Sequence, residues 1–367
     1  MSMKMISQER DRRRHYGLYG PLAIFSGTAN PEQAQQLADR LDKPLGSVTI
    51  RQFANENVFA KLEESVRGKD VFLIQPTCSG LRYRKHLAGK CEIEPQLVSQ
   101  LSPDEYELVP ASVNDNILEL LVLLDTLRRD SAGRLTAVIP YFAYGRTDKK
   151  DQPRVPITAR LMADVIGTAG ATRFLVIDLH AGQIQGFFDI PGDELTASHI
   201  LVDYFRKKAI ANTVVIAPDI GASRRARNFA EDLDLPLAII EKRRHADGSG
   251  TRQLNLIGQV EGRSAIIFDD EIDTGGTIRQ AADYVRACGA LDVYACATYA
   301  LLSPPHGMEN LRAAKLKELV VTNTVYISPK RKQALQPFLR VLSVADLLAE
   351  VIRRIHLGIS VGELFNE

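Results

Sequence analysis

The sequence has no apolar run approaching the ~18 residues of a membrane-spanning helix, and no N-terminal segment with the form of a signal peptide. Its most apolar stretch, "LELLVLLDTL" (118–127), is short and holds Asp125, so it reads as a buried helix. Neither sign of charge is in excess: 46 Lys and Arg stand against 45 Asp and Glu, for a net charge of +1. Nothing global therefore argues for nucleic acid or a membrane surface as a partner. The four cysteines (Cys78, Cys91, Cys288, Cys296) match no zinc spacing, and a reduced, cytoplasmic protein is the expectation. The pattern G-x-x-x-x-G-K-[ST] is missing, which excludes a P-loop nucleotide site. No obvious linker or clear internal repeat divides the chain.

What is present is a rhythm. With 367 residues, 45% hydrophobic and 25% charged, the chain has material for about two ordinary globular domains. Short apolar runs, "PLAIFSG", "DVFLIQ", "RLTAVIP", "TRFLVID", "TVVIAP", "PLAIIE", "SAIIFDD", "VYACATYA" and "ELVVTNT", read as parallel strands buried on both faces. Helical patterns alternate with them: "NPEQAQQLADRL", where Asn30 caps and Pro31 opens the first turn, "NDNILELLVLLDTLRR", "ITARLMADVIGTAG" and "GTIRQAADYVRACG". The alternation implies βαβ units. Nine strands are many for one sheet, so the expectation is two α/β domains, 21–197 and 198–367, each a mostly parallel sheet flanked by helices, with the last helix returning to the first domain. Residues 1–20, with the basic "QERDRRRHYG", read as a solvated extension. Residues 79–112 break the rhythm with mixed charge and no clean period, and read as an elaborated loop.

The segment "AIIFDDEIDTGGTI" (265–278) carries chemistry. A strand ends at Asp269 and Asp270, and Asp273-Thr274-Gly275-Gly276-Thr277 leads into a helix. Ligands of open α/β sheets sit beyond the carboxyl ends of strands. The glycines let backbone amides approach an anion, the helix start adds partial positive charge, and the threonines add hydroxyl donors. The paired acids accept from neighbouring hydroxyls. A phosphate and a diol one sugar apart describe a ribose 5-phosphate. Plain acidic capping of a helix does not account for strand, paired acids and Gly-Gly-Thr turn together.

"FDDEIDTGGTI" resembles the phosphoribosyl-diphosphate motif shared by type I phosphoribosyltransferases and ribose-phosphate diphosphokinases. "VRGKDVFLIQPT", "AVIPYFAYGRTDKKD", "VPITARLMADVI", "VIDLHAGQIQGFFDIP", "APDIGASRRA" and "LAEVIRRIHLGISVGELF" are similar, in order, to segments of the diphosphokinase family. The resemblance runs from Leu22 to the C-terminus outside 79–112. It implies two phosphoribosyltransferase-like domains. It also implies transfer of the diphosphoryl group of Mg-ATP to the 1-hydroxyl of ribose 5-phosphate, and a homo-oligomer whose active sites borrow residues from a neighbouring subunit.

Carried over residue by residue, the resemblance places Asp178 and His180 of "VIDLHAG" in the environment of the ATP phosphates and Mg²⁺, and Asp219 of "APDIGASRR" at the ribose hydroxyls or a second metal. It makes Lys242 and Arg244 of "IIEKRRHADGSG" the cations of a catalytic loop, where their bland reading is a basic surface turn. Arg146, Thr147, Asp148 and Asp151 of "YGRTDKKD" embrace ATP. Phe53, Asn55 and Asn57 of "RQFANENVF" form the part of the nucleotide pocket given by the neighbour, with Phe53 stacking on adenine. Asp269, Asp270, Asp273, Thr274, Gly275, Gly276 and Thr277 hold the ribose phosphate.

The chain also departs from the family. Thr147 and Asn57 stand where the family usually has glutamine and glutamate, both on the nucleotide side. Gly182 and Glu194 stand where the phosphate-regulated class often has a hydroxyl residue and asparagine, so weakened phosphate regulation is expected. The insertion at 79–112 follows a strand's carboxyl end, with the acceptor site, the nucleotide and subunit contacts as its open roles. Two other functions stay open: a diphosphokinase for another ribose 5-phosphate derivative such as ADP-ribose, and a silent regulatory partner of a true synthetase.

Overall fold

A computed structural model describes residues 19–87, 90–100, 106–244 and 252–364. The basic "QERDRRRHYG" segment and residues 245–251 of the expected catalytic loop lie outside them. By contacts the chain divides into two units. The first runs to Leu195 and takes in Ala345 onward, and the second is Thr196–Val344.

Unit one is built on β1 (Leu22–Ser26), β4 (Asp70–Ile74), β8 (Arg134–Ile139), β9 (Arg173–Ile177) and β10 (Gly192–Leu195), ordered β1-β4-β8-β9-β10 with every pairing parallel. All five residues of β4 are buried, as continuous apolar runs of a parallel sheet should be. Helix α1 (Pro31–Arg40) begins as its sequence indicates: the Asn30 side chain accepts from the Gln33 N–H at 3.3 Å, with Pro31 in the first turn. Helix α2 (Val113–Arg129) contains the leucine-rich stretch and buries Leu120, Leu123, Leu124 and Leu127 along one stripe. Its Leu118 is 52% exposed, so the helix is amphipathic rather than buried all round.

The C-terminal helix, Ala345–Leu357, returns to this unit and packs on α1. A buried carboxylate holds it. Asp70 accepts two N–H groups from Arg134, at 2.8 and 2.5 Å, and faces His356 Nδ1 at 2.8 Å; Arg134 also donates to the Ile355 carbonyl at 3.0 Å. Removing one member of such a buried set costs about 3–5 kcal/mol, because the others are left desolvated and unpaired.

The segment 79–112 is not an elaborated loop. It forms β5 (Gly80–Leu87), β6 (Lys90–Ile93), a 3₁₀ turn at Pro95–Gln100 and β7 (Tyr106–Ala111). These join β2 (Val48–Gln52) and β3 (Val58–Leu62) in an antiparallel sheet ordered β3-β2-β6-β5-β7. Their sequences carry charge and lack the unbroken apolar runs of the parallel strands, so they resemble loop.

Unit two carries β11 (Thr213–Ala217), β12 (Leu237–Arg244), β13 (Arg252–Ile257), β14 (Ser264–Ile272), β15 (Val293–Ala300), β16 (Glu318–Thr322) and β17 (Leu339–Leu342). They form one sheet ordered β13-β12-β11-β14-β15-β16-β17, parallel except at β13. Val214, Ile216 and Ile267 pack into a core on one face, and Val215, Ala217, Ile266 and Phe268 into a core on the other. That double burial explains why these strands read as unbroken apolar runs. All nine strands read from the sequence are present. β2, β3, β5, β6, β7, β10, β13 and β17 are additional, and most are short, polar or at an edge.

Candidate active site

In unit two, β14 brings Asp269 and Asp270 to its carboxyl end. Asp270 is buried and pairs with Arg225 at 2.9 Å, while its backbone N–H donates to Asp269 Oδ1 at 2.9 Å. Burial, with the Asp270 carboxyl alongside and Asp219 nearby, pushes the Asp269 carboxyl up to about 8. Asp219 stands in the turn after β11, where its Oδ1 accepts from the Ala222 N–H at 3.1 Å. The sequence assigned these three acids to the ribose, and the fold does gather them. Arg225 escaped notice. Its signal was a cation in the first turn of the helix Ser223–Asp232, where the helix dipole disfavours positive charge unless an acid is near.

The turn after β14 has the form an anion needs. Gly275 has φ +69°, and a Cβ there would lie 3.1 Å from the Gly307 carbonyl oxygen, so side-chain bulk is excluded twice. The helix Gly276–Ala287 starts without a side-chain cap, which leaves its first N–H groups for a ligand. Asn310 fixes the turn from outside by donating to the Thr274 carbonyl at 2.8 Å, and it is itself held by Arg279 at 3.2 Å. Asp273 Oδ1 is buried with no hydrogen-bond partner, an acceptor without a donor. Thr274 is exposed and Gly276 and Thr277 are half-buried at the helix start.

Lys242 and Arg244 lie on the last residues of β12, opposite Leu254 and Arg252 of β13 in the antiparallel register. The expected catalytic loop therefore leaves from a β-hairpin, at the one antiparallel edge of this sheet.

In unit one, β9 leads directly into Asp178, whose backbone is in the left-handed region with φ +39°. A non-glycine residue held there marks a turn that the surroundings impose. The Asp178 N–H donates to the Leu195 carbonyl at 2.8 Å, and the next N–H, of Leu179, donates to Glu194 Oε1 at 2.8 Å. Gln185 donates to the other oxygen of Glu194 at 2.6 Å, so Glu194 shapes the turn that presents His180, a role sequence reading missed. His180 is exposed. A Cβ at Gly145 would meet the His180 Cβ at 3.4 Å, which sets the "YGRTDKKD" segment against this turn. Asp148 is buried and accepts from Gln183 at 2.5 Å, tying the two segments together. Thr147 is used locally, its hydroxyl donating to the Tyr144 carbonyl at 2.7 Å. Arg146 and Asp151 are exposed.

Phe53, Asn55 and Asn57 occupy the loop of the β2–β3 hairpin. The Phe53 N–H donates to the Asn57 carbonyl at 2.9 Å, and Asn55 Oδ1 accepts from the Asn57 N–H at 3.3 Å. Phe53 is 52% exposed and lies 6.2 Å, centroid to centroid, from the exposed Phe59 ring. A half-exposed aromatic over a hydrogen-bonded loop is suited to stack on a planar ligand.

The sequence matches two family models and is similar to several named relatives. Residues 22–170 match the N-terminal domain of ribose phosphate pyrophosphokinase, and residues 249–366 match the phosphoribosyl synthetase-associated domain. The chain is 44% identical to ribose-phosphate pyrophosphokinase 1 of Spinacia oleracea, over 94% of this chain and 92% of that one. It is 42% identical to the ribose-phosphate pyrophosphokinase of Wolinella succinogenes, over 93% and 98%. The crystal structure of phosphoribosylpyrophosphate synthetase from Mycobacterium smegmatis is similar with a TM-score of 0.76 and 38% identity, covering 91% of this chain and 98% of that one.

Proposed function

The chain belongs to the ribose-phosphate pyrophosphokinase family, and on that premise we propose how its residues transfer the diphosphoryl group of ATP to ribose 5-phosphate, giving 5-phosphoribosyl 1-diphosphate and AMP. The observation that carries the reading is the end of β14. Buried acids for a sugar diol stand one turn from a glycine-built, uncapped helix start for its phosphate.

The ribose 5-phosphate contacts are Asp269, Asp270, Asp273 and Asp219 for the hydroxyls and Thr274 to Thr277 for the phosphate. The orphaned Asp273 oxygen gains its donor from a substrate hydroxyl or an ordered water. The nucleotide contacts are Arg146, Asp148, Asp151 and His180, with Phe53, Asn55 and Asn57 supplied by a neighbouring copy. The ribose 1-hydroxyl oxygen attacks the β-phosphorus and gives up its proton to water. The bond from that phosphorus to the α,β-bridging oxygen breaks, and AMP leaves with the electron pair. Lys242 and Arg244 neutralise charge on the transferring group, and positioning supplies most of the remaining acceleration.

The donor set fits Mg²⁺. Among the described residues no cluster of three or more acidic, His or Cys side chains forms a metal cage. Mg²⁺ ordinarily takes one or two carboxylates plus substrate phosphates and waters. Asp178 with His180 would hold one ion on the protein side, and Asp219 the ribose hydroxyls or a second ion. Bound there, it would offset negative charge on the substrate phosphates. The cytoplasmic setting, the homo-oligomer and weak phosphate activation expected from the sequence are kept as parts of this proposal. ADP-ribose as acceptor and a silent regulatory role are carried by no observation on the structure or the relatives.

The test is AMP release from Mg-ATP with ribose 5-phosphate or ADP-ribose, with product masses recorded. The proposal expects AMP and a ribose 5-phosphate product heavier by one diphosphoryl group. Activity with ADP-ribose alone, or with neither acceptor, would overturn it.

A further inference from the structure

We infer that β5, β6, β7 and the turn Pro95–Gln100 are a positioning element for nucleotide binding: they hold the hairpin that presents Phe53, Asn55 and Asn57. The inference rests on reading that hairpin as a nucleotide contact.

β2 and β3 alone would make a two-stranded ribbon resting on helix α2 through β3, with the other edge of β2 unpaired. β6 pairs with the free edge of β2 and makes it an inner strand. The register is specific: Ile93 lies opposite Ile50, Glu92 opposite Arg51 and Cys91 opposite Gln52. These are the three residues directly before Phe53, so the ladder ends where the loop begins.

A second clasp lies at the other end of β2. Gln96, in the 3₁₀ turn, accepts from the Val48 N–H at 3.4 Å and donates to the Ser47 hydroxyl at 3.2 Å. Ile93 and Val98 anchor the segment, at 4% and 6% exposure, and the turn packs against helix α1. Neither clasp covers the aromatic pair, since Phe53 and Phe59 stay 52% and 43% exposed. The added strands therefore order the backbone beneath the rings and leave the rings open.

The loop benefits from that order. Five residues are folded by three hydrogen bonds among themselves, and Glu56 has φ +67°. A loop ordered before binding loses less entropy when the ligand arrives, which appears as affinity and not as chemistry. In this chain Asn57 stands where the family usually has glutamate, so the direct contact is altered in the same hairpin that the extra strands brace.

The design of the test follows from the register. Gly80 lies opposite Ala111 in the β5–β7 pair, and such partners are only about 5 Å apart. Residues 81–110 can therefore be excised and the ends closed with two glycines. The excised enzyme should show a KM for Mg-ATP raised about tenfold, with kcat at saturation and the KM for ribose 5-phosphate within about twofold of the parent. An unchanged KM for Mg-ATP overturns the inference. So does an equal loss in kcat and both KM values, the mark of a merely structural segment. If the parent enzyme makes no phosphoribosyl diphosphate, the functional reading falls instead. Should the excised chain not fold, Gln96→Ala serves: faster amide exchange over 48–57 and an about threefold higher KM for Mg-ATP are expected. An unchanged KM with that variant likewise overturns the inference.

Discussion

The segment Asp269–Thr277, proposed to hold ribose 5-phosphate, and the hairpin Phe53–Asn57, proposed to hold the nucleotide, are built by opposite rules. The loop ends an inner strand of a seven-stranded sheet, and its acids are buried or half-buried against Arg225 and one another. The hairpin ends two antiparallel strands, and its aromatic ring is half exposed. In the loop, binding groups share their surroundings with the core, so damage to one damages both. In the hairpin they stand outside the core, and binding can change while stability does not.

The largest predicted effect separates both regions from the chemistry. Lys242→Ala is expected to lower kcat about a hundredfold or more while both KM values stay within about threefold, since a lost charge stabiliser acts on the transition state. Steady-state kinetics with each substrate varied checks this, and an unchanged kcat would remove Lys242 from the mechanism.

Next comes the loop itself. Gly275→Val forces a β-branched side chain into φ +69° and toward the Gly307 carbonyl. The left-handed backbone alone costs about 1–2 kcal/mol. Ribose 5-phosphate binding should weaken more than about tenfold and the melting temperature should fall with it. Weakened binding at an unchanged melting temperature would break the comparison, because it would show the loop to be as independent of the core as the hairpin.

How these regions could be read from sequence differs for the same physical reason. "AIIFDD" was legible because a strand buried on both faces is apolar up to Phe268, although the strand itself runs on past Asp269 and Asp270 to Ile272. The Gly-Gly turn was legible because left-handed backbone at a helix start selects glycine. "GLRYRKHL" and "VTIRQ" were not read as strands. They lie in an antiparallel sheet, where alternation and charge hide the signal. Long-range pairings such as Gln52 with Cys91 are invisible in a single chain. Arg225 and Glu194 were missed because each acts on a residue distant in sequence.

A smaller effect is expected at the hairpin. Phe53→Ala removes a ring whose stacking on a base is worth about 1–3 kcal/mol, so the KM for Mg-ATP should rise about tenfold. Because the ring is half exposed, the melting temperature should hold within a degree or so, about the effect of an ordinary surface substitution.

The last is a pH effect. The Asp269 carboxyl is raised from 3.8 to about 8 in the fold, so the native state keeps a proton that the unfolded chain releases. That contribution to stability is complete below the unfolded value and is lost as pH rises through the folded one. Asparagine has no proton to lose. Asp269→Asn should therefore gain in melting temperature over the parent between pH 6 and pH 8, and a gap that narrows instead would contradict the buried, proton-holding pair.

The most direct measurement of the division of labour is a crossed kinetic comparison of the parent, Asp270→Asn and Phe53→Ala, with the phosphoribosyl diphosphate product followed by mass. The account predicts that Asp270→Asn raises the KM for ribose 5-phosphate about tenfold and spares that for Mg-ATP, while Phe53→Ala does the reverse. Both variants shifting the same substrate, or Asp270→Asn shifting neither, would contradict it.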